Sequence, residues 1–344
     1  MKIVVDDKIP YIRETLERLA DEVVYKKGSE IGPADVRDAD ALIVRTRTRC
    51  GAALLEGSRV SFVATATIGF DHIDTAYMRR AGIEWTSCPG CNAASVAQYV
   101  RSVLLLLRRC RGAALERMTI GIVGCGHVGS KVKAVAEEYG MRVLVCDPPR
   151  QERGDGRGFV TLGDIARLSD IVTFHVPLTK DGPHPTYHIA GAGFFDSLAQ
   201  RPLVINTSRG AVADNGALLD ALIYNKVSDA VVDTWENEPD IDRRLLGRAW
   251  IATPHIAGYS ADGKANADNM AVAALCRHFG LPLPPPIAPP ELPESFVPSA
   301  DDDELRLQLY NPLDDTARLK AAPEKFEELR GNYPLRRETA GITR

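Results

Sequence analysis

Apolar positions recur along the chain in two alternating rhythms. Short runs read as strands at 2–5, 22–25, 41–44 and 61–64. Helical spacing fills the gaps between them, as over 10–20, where Ile12, Leu16 and Leu19 share one face. Near-continuous apolar strands alternating with helices predict a parallel sheet covered on both faces. The segment Pro89-Gly90-Cys91-Asn92 then breaks the chain, with Asn92 as a candidate cap for a long helix over 93–109. Val96, Val100, Val103, Leu104 and Leu107 give that helix a wide apolar face.

A second series follows, with strands at 119–123, 142–146, 170–174, 203–205, 230–232 and 250–252 and helical segments between them. Residues 260–279 are again helical and can return the chain to the first unit. From Leu281 to Pro298 the pattern collapses, with eight prolines among eighteen residues. Such a stretch is extended linker. Beyond it, a weak helical pattern with Phe326 and Leu329 marks a tail too short to bury much core alone. Packing against a partner subunit, in a homodimer, is the expected use of that tail. The expectation is thus an α/β protein of two Rossmann-like parallel-sheet domains with a cleft between them and a small C-terminal appendage. The boundaries are 1–92 (completed by 255–280), 93–254, a linker over 281–298, and a shortened C-terminal segment over 299–344.

The second series opens on a strand, the run Gly124-Cys125-Gly126-His127-Val128-Gly129, a helix, a strand, and Asp147. This is a dinucleotide-binding unit. Gly124 allows the tight turn, Gly126 admits a pyrophosphate to the backbone, and Gly129 lets helix and sheet approach. The free N–H groups at the helix start, from His127 and Val128 onward, face the diphosphate. Asp147 is placed to accept hydrogen bonds from a ribose diol and to repel a 2′-phosphate, which predicts NAD rather than NADP as cofactor.

Composition narrows the class. At 344 residues the chain exceeds what one core fills, and 45% hydrophobic with 26% charged residues is ordinary for a globular protein. A net charge of −4 gives no support to a nucleic-acid or membrane-surface partner. The apolar run 103–107, like every other in the sequence, is far below the ~20 residues of a membrane span. MKIVVDDKIP has no signal-peptide core, so a cytoplasmic location is expected. Seven scattered cysteines make no disulfide framework, and Cys88-Pro-Gly-Cys91 lacks a second ligand pair for zinc, so no metal is expected.

Candidate chemistry lies where strands end. Val44-Arg45-Thr46-Arg47-Thr48-Arg49 reads as an extended segment with arginines on one side and threonines on the other, either a solvated strand end or an anion site. Thr67 lies in the next such loop, and Asp71 or Asp74 can cap the helix after it. In the second unit, Asn206-Thr207-Ser208-Arg209-Gly210, Asp233-Thr234-Trp235-Glu236-Asn237-Glu238-Pro239 and Pro254-His255-Ile256-Ala257-Gly258-Tyr259 each follow a strand. Together they offer an arginine, a glutamate and a histidine. Oxidation of an alcohol by hydride loss needs that set: a base for the hydroxyl proton, an acid to orient the base, and a cation for a substrate carboxylate.

Through GIVGCGHVG, NTSRG, DTWENEP and PHIAG the sequence resembles the D-isomer-specific 2-hydroxyacid dehydrogenases. VVDDKIPY, FVATATIGFDHID, CPGCNA, CDPPR, TFHVPL with KDGP, and HIAGY with GK extend the likeness to a branch acting on a phosphorylated hydroxyacid. That branch oxidises 4-phospho-D-erythronate to 3-hydroxy-2-oxo-4-phosphobutanoate in vitamin B6 biosynthesis. The resemblance implies Arg209 for carboxylate binding, His255 as acid/base and Glu238 as its partner. It further implies NAD contacts at Asp147, Val176, Thr207, Ser208, Asp233 and Gly258. Substrate contacts would fall at Thr46, Thr67 and Tyr259, and the phosphate would meet Arg45, Arg47 or Arg49, with Arg45 preferred. The alternatives are another D-2-hydroxyacid dehydrogenase, for example for 3-phosphoglycerate, and a dinucleotide-sensing corepressor.

Overall fold

A computed structural model gives the structure over residues 1–156 and 158–338. The chain divides into two compact units, Met1–Asn92 with Ser260–Glu294, and Ala93–Tyr259 with the residues from Ser295 onward.

In the first unit β1 (Lys2–Asp6), β2 (Glu22–Lys26), β3 (Ala41–Val44), β4 (Phe62–Thr65) and β5 (Glu84–Thr86) form one all-parallel sheet in the order β2-β1-β3-β4-β5. Four helices lie between the strands: α1 (Arg13–Leu19), α2 (Pro33–Val36), α3 (Ala52–Leu55) and α4 (Thr75–Ala81). Because successive side chains point to opposite faces, Ile3, Val5 and Ile43 enter one core with Ile12 and Leu16. Val4, Leu42 and Val44 enter the other with Val36, Leu55 and Met78. The helix Ala261–Phe279 returns to this unit and sets Ala271 and Leu275 into the first of those cores. The prolines after it stay extended, pinned where Asn269 both donates to and accepts from the main chain of Ile287 at 2.9 and 2.7 Å.

Of the two candidate caps for α4 the chain uses Asp74, which accepts from Tyr77 N–H at 2.9 Å. One local expectation is corrected here. Residues 45–49 are not an alternating strand, because the chain turns directly after Val44. Thr48 Oγ1 donates to Gly28 O at 2.7 Å and is buried, while Thr46 and Arg47 are exposed on the turn.

The second unit holds β6 (Thr119–Val123), β7 (Arg142–Cys146), β8 (Ile171–Phe174), β9 (Leu203–Asn206), β10 (Asp229–Val232) and β11 (Ile251–Ala252). They pair in parallel in the order β11-β10-β9-β8-β6-β7, so the winding reverses between β6 and β8. Its helices are α5 (Ala93–Arg111), α6 (His127–Glu138), α7 (Pro148–Glu152), α8 (Leu162–Leu168), α9 (Ala192–Asp196), α10 (Asn215–Ile223) and α11 (Arg243–Arg248). The return helix Ala261–Phe279 is α12. Asn92 does not cap α5 as expected, since its side-chain oxygen is buried with no hydrogen-bond partner.

The tail forms α13 (Asp302–Leu309), α14 (Pro312–Ala321) and α15 (Phe326–Gly331), and these pack on the second unit of their own chain. Leu307 and Tyr310 join the core of α5, and Leu319 and Phe326 join Trp235 and Leu245. The Ala252 N–H donates to Thr316 Oγ1 at 3.1 Å, so α14 covers the open side of the edge strand β11. Residues 339–344 lie outside the described part of the chain.

Candidate active site

Six carboxyl-terminal strand ends of the second sheet deliver the polar side chains, which is where open parallel sheets bind ligands. At the end of β6, Gly124 turns with φ +88°, and a Cβ there would fall 2.5 Å from His175 O. A Cβ on Gly129 would fall 2.0 Å from Gly124 O, so the first turn of α6 lies hard against the loop that precedes it. Gly126 and His127 are exposed, Val128 is half-buried, and a Cβ on Gly126 would meet nothing within 4 Å. No side chain caps the start of α6. Open space before uncapped N–H groups is what a diphosphate needs. Asp147 follows β7, its Oδ2 accepting from Cys125 N–H at 2.7 Å and its Oδ1 from Arg150 N–H at 3.1 Å. The acid therefore fixes the glycine loop. These residues fit a dinucleotide.

The β8 end carries His175 and Val176. The His175 ring bonds Thr173 Oγ1 at 2.9 Å and Thr207 Oγ1 at 3.5 Å. Burial pushes its imidazole down to about 3, so it is a neutral, structural ring. At the β9 end, Ser208 N–H and Oγ both donate to Asn206 Oδ1, at 3.2 and 3.0 Å. Asn206 Nδ2 in turn donates to Arg209 O at 3.1 Å, and Arg209 Nη1 to Ser208 O at 2.8 Å. The Arg209 guanidinium is thus held by its own loop.

His255 follows β11 with φ +57°, an uncommon conformation for a non-glycine residue. Its Nδ1 lies 2.9 and 3.2 Å from the two carboxylate oxygens of Glu238. Glu238 Oε1 also accepts from Trp235 N–H at 2.9 Å. Burial drives the Glu238 carboxyl upward, but the hydrogen bond and charge of His255, the Trp235 N–H and the Arg330 charge outweigh it and hold it below the ordinary carboxylate range. An ionised Glu238 fixes a proton on Nδ1 and leaves Nε2 as the ring's working nitrogen. Asp233 is 1% exposed. Its Oδ1 accepts from Thr253 Oγ1 at 2.7 Å and Ile256 N–H at 2.8 Å, and its Oδ2 from Ala257 N–H at 3.0 Å. It anchors the loop bearing His255, Gly258 and Tyr259 from below. Gly210 locks the neighbouring loops together: a Cβ there would fall 1.9 Å from Trp235 O.

The structure therefore pairs Glu238 with His255 and sets the Arg209 loop against the loop that leads to Glu238, with Thr207, Ser208, Asp233, Gly258 and Tyr259 on the same three strand ends. In the first unit, Arg45 follows β3 and Thr67 follows β4, adjacent strands paired at Val44 and Thr65. Arg45 Nη1 donates to Lys8 O at 3.1 Å, and the Thr67 hydroxyl bonds Thr65 Oγ1 at 2.7 Å and Gly69 O at 3.0 Å. Cys88 and Cys91 are buried thiols without a disulfide, Cys91 pushed up by burial to about 11. Sequence reasoning missed His175, Asn206, Trp235 and Thr253, whose only signal was adjacency to the strand ends. It also missed Arg330 of the tail, 3.7 Å from Glu238.

Residues 94–257 match the family described as D-isomer specific 2-hydroxyacid dehydrogenase, NAD binding domain. The chain is 55% identical to an erythronate-4-phosphate dehydrogenase of Bacteroides thetaiotaomicron over 98% of its own length and 97% of that protein. It is 45% identical to the Porphyromonas gingivalis protein of the same name, over 100% and 95%. The matched span takes in the tail. Among solved structures, NAD+-bound 3-phosphoglycerate dehydrogenase of Entamoeba histolytica superposes with a TM-score of 0.67 at 27% identity, over 81% of this chain and 95% of that one. The D-lactate dehydrogenase of Aquifex aeolicus, complexed with NAD and lactic acid, gives 0.65 at 25% identity, over 81% and 96%. The chain belongs to the erythronate-4-phosphate dehydrogenases, within the D-isomer-specific 2-hydroxyacid dehydrogenase family.

Proposed function

We propose that the protein catalyses the NAD-dependent oxidation of 4-phospho-D-erythronate to 3-hydroxy-2-oxo-4-phosphobutanoate, a step of vitamin B6 biosynthesis. The observation that carries this reading is the His255–Glu238 pair at 2.9 Å, on strand ends shared with Arg209, in a chain 55% identical to a protein named for that substrate. NAD supplies the hydride acceptor. Gly124, Gly126, His127, Val128 and Gly129 receive its diphosphate and Asp147 its ribose, with Val176, Thr207, Ser208, Asp233 and Gly258 as further contacts. His255 Nε2 takes the hydroxyl proton at C2, and the ionised Glu238 stabilises the imidazolium that results. Arg209 grips the substrate carboxylate, for which a guanidinium fork is well shaped. Arg45, Thr46, Thr67 and Tyr259 are assigned to the rest of the substrate, Arg45 to the phosphate.

We further infer a cytoplasmic homodimer. Its subunit contacts would be checked by sedimentation of the full chain. The activity is tested by NADH formation from D-2-hydroxyacids with and without a terminal phosphate. 4-Phosphoerythronate should be preferred strongly over erythronate, lactate and 3-phosphoglycerate. Equal rates with erythronate and its phosphate would replace this reading with a general hydroxyacid dehydrogenase.

A further inference from the structure

The C-terminal tail, expected to serve subunit assembly, reaches the proposed catalytic pair of its own chain. Arg330 on α15 places Nη1 3.7 Å from Glu238 Oε2 and 3.9 Å from Glu327 Oε1. It also shares a side-chain hydrogen bond with Tyr259. Tyr333 stands edge-on to Tyr259, ring centroids 6.2 Å apart. Arg336, 7% exposed, then grips the catalytic loop from behind. Its Nη2 donates to Ala257 O at 2.6 Å and Ser95 O at 3.3 Å, its Nη1 to Ile256 O at 3.0 Å, and its Nε to Gln98 Oε1 at 3.0 Å. Its guanidinium lies 3.9 Å over the Tyr310 ring. Six residues apart near the end of the tail, Arg336 thus holds the main chain that carries His255 and Arg330 faces the carboxylate that orients it.

We propose that the tail is a working part of the active centre in cis, and that Arg330 is a positioning residue which sets the protonation of the His255–Glu238 pair. This rests on the assignment of that pair as the proton acceptor. A fixed cation beside Glu238 favours its carboxylate and opposes a proton on the adjoining imidazole, so the pair stays ready to accept a proton at lower pH. The other charges facing the pair are Asp233, which acts on His255 from beneath the loop, and Glu327, which partly neutralises Arg330. Tyr259 and the Trp235 N–H complete the polar surroundings.

The test compares full-length wild type with Arg330→Met, Arg330→Lys and Glu327→Gln. Arg330 is 28% exposed, so its field is screened, and its removal should move the rising limb of kcat/KM for oxidation upward by about 0.3–1 pH unit. Rates below the midpoint then fall by about 2–10-fold while the high-pH plateau is retained. A merely structural loss would lower the plateau instead. Arg330→Lys should restore the limb, and Glu327→Gln, which unmasks the cation, should move it the other way. The same titration followed on the His255 ring resonances by NMR gives a readout independent of turnover, and NADH fluorescence checks that the variants are folded. A wild type that makes no NADH from 4-phosphoerythronate overturns the functional reading, and the NMR titration still decides this one. Superimposable titrations of wild type and Arg330→Met, by NMR and by rate, overturn the role of Arg330.

Discussion

Gly210 offers the sharpest test of how the site is held together. It follows Arg209, and a Cβ added there would lie 1.9 Å from Trp235 O, 2.1 Å from Trp235 C and 2.6 Å from Glu236 N. All three are main-chain atoms, so none can swing aside as a side chain would. Restoring even the 3.0 Å that real Cβ contacts essentially never breach requires the two loops to part by about 1.1 Å. One loop carries Arg209. The other supplies the Trp235 N–H to Glu238, and through Glu238 orients His255. Gly210→Ala should therefore separate carboxylate grip from proton acceptor. Overpacking of this kind costs about 1–3 kcal/mol of stability. A misplacement near 1 Å costs on the order of 10²-fold in turnover. The assay is steady-state oxidation of 4-phosphoerythronate at saturating NAD, with NADH fluorescence titration and thermal melts alongside. Turnover should fall far more than NADH affinity, because the glycine loop and Asp147 are untouched. A folded Gly210→Ala enzyme within about 3-fold of wild-type kcat would refute the claim that this contact sets the geometry.

Other outcomes are expected elsewhere. Asp147→Ala should weaken NAD binding and narrow the gap to NADP, since the carboxylate also holds two main-chain N–H groups in bonds of about 1.5–3 kcal/mol each; equal use of both cofactors by the wild type would sink the assignment. His255→Asn should cost about 10²–10⁴ in rate with NADH affinity kept, and near-normal turnover would remove it from the mechanism. Arg45→Ala should penalise 4-phosphoerythronate much more than erythronate, and an equal loss on both would take the phosphate away from that loop. Asp268 on α12 is 1% exposed, accepts from Tyr11 N–H at 3.1 Å, and is pushed up by burial to about 7 from 3.8. The folded chain then binds more protons than the unfolded one across that window, so this carboxyl's contribution to stability falls as pH rises through it. Asp268→Asn should remove that loss, a gain of up to about 4 kcal/mol at pH 8 and little at pH 4; parallel melting curves at the two pH values would contradict it.

Most of the framework was legible because it is periodic. The β6–α6–β7 fingerprint and the buried face of α5 announce themselves in runs of apolar residues. Glu84–Thr86 was overlooked as a strand because three residues are too few to show a period. Residues 45–49 misled because alternating arginine and threonine imitates a strand, whereas the Thr48 hydroxyl bonds to Gly28 and the chain turns. In the tail, Pro312 and Pro323 start fresh turns and cut the pattern into pieces shorter than a clear helical repeat. Arg209, Glu238 and His255 could be found because each follows a strand. Arg330 and Arg336 could not, since in sequence they are two among several arginines in a polar stretch, and only packing distinguishes them from Arg337.

The grip of Arg336 falls mainly on carbonyl oxygens: Ile256, Ala257 and Ser95 each offer one. Carbonyls carry no residue identity. The receiving half of this lock therefore imposes a requirement on backbone shape and none on spelling, while the buried side chains at 256 and 257 answer to a separate constraint, that of packing. Residue-by-residue comparison between relatives would register a lone arginine and miss the contact altogether. The same indifference makes the lock portable. A tail transplanted from one relative to another should find its seat wherever the recipient loop keeps its curvature, however different the two loops look on paper.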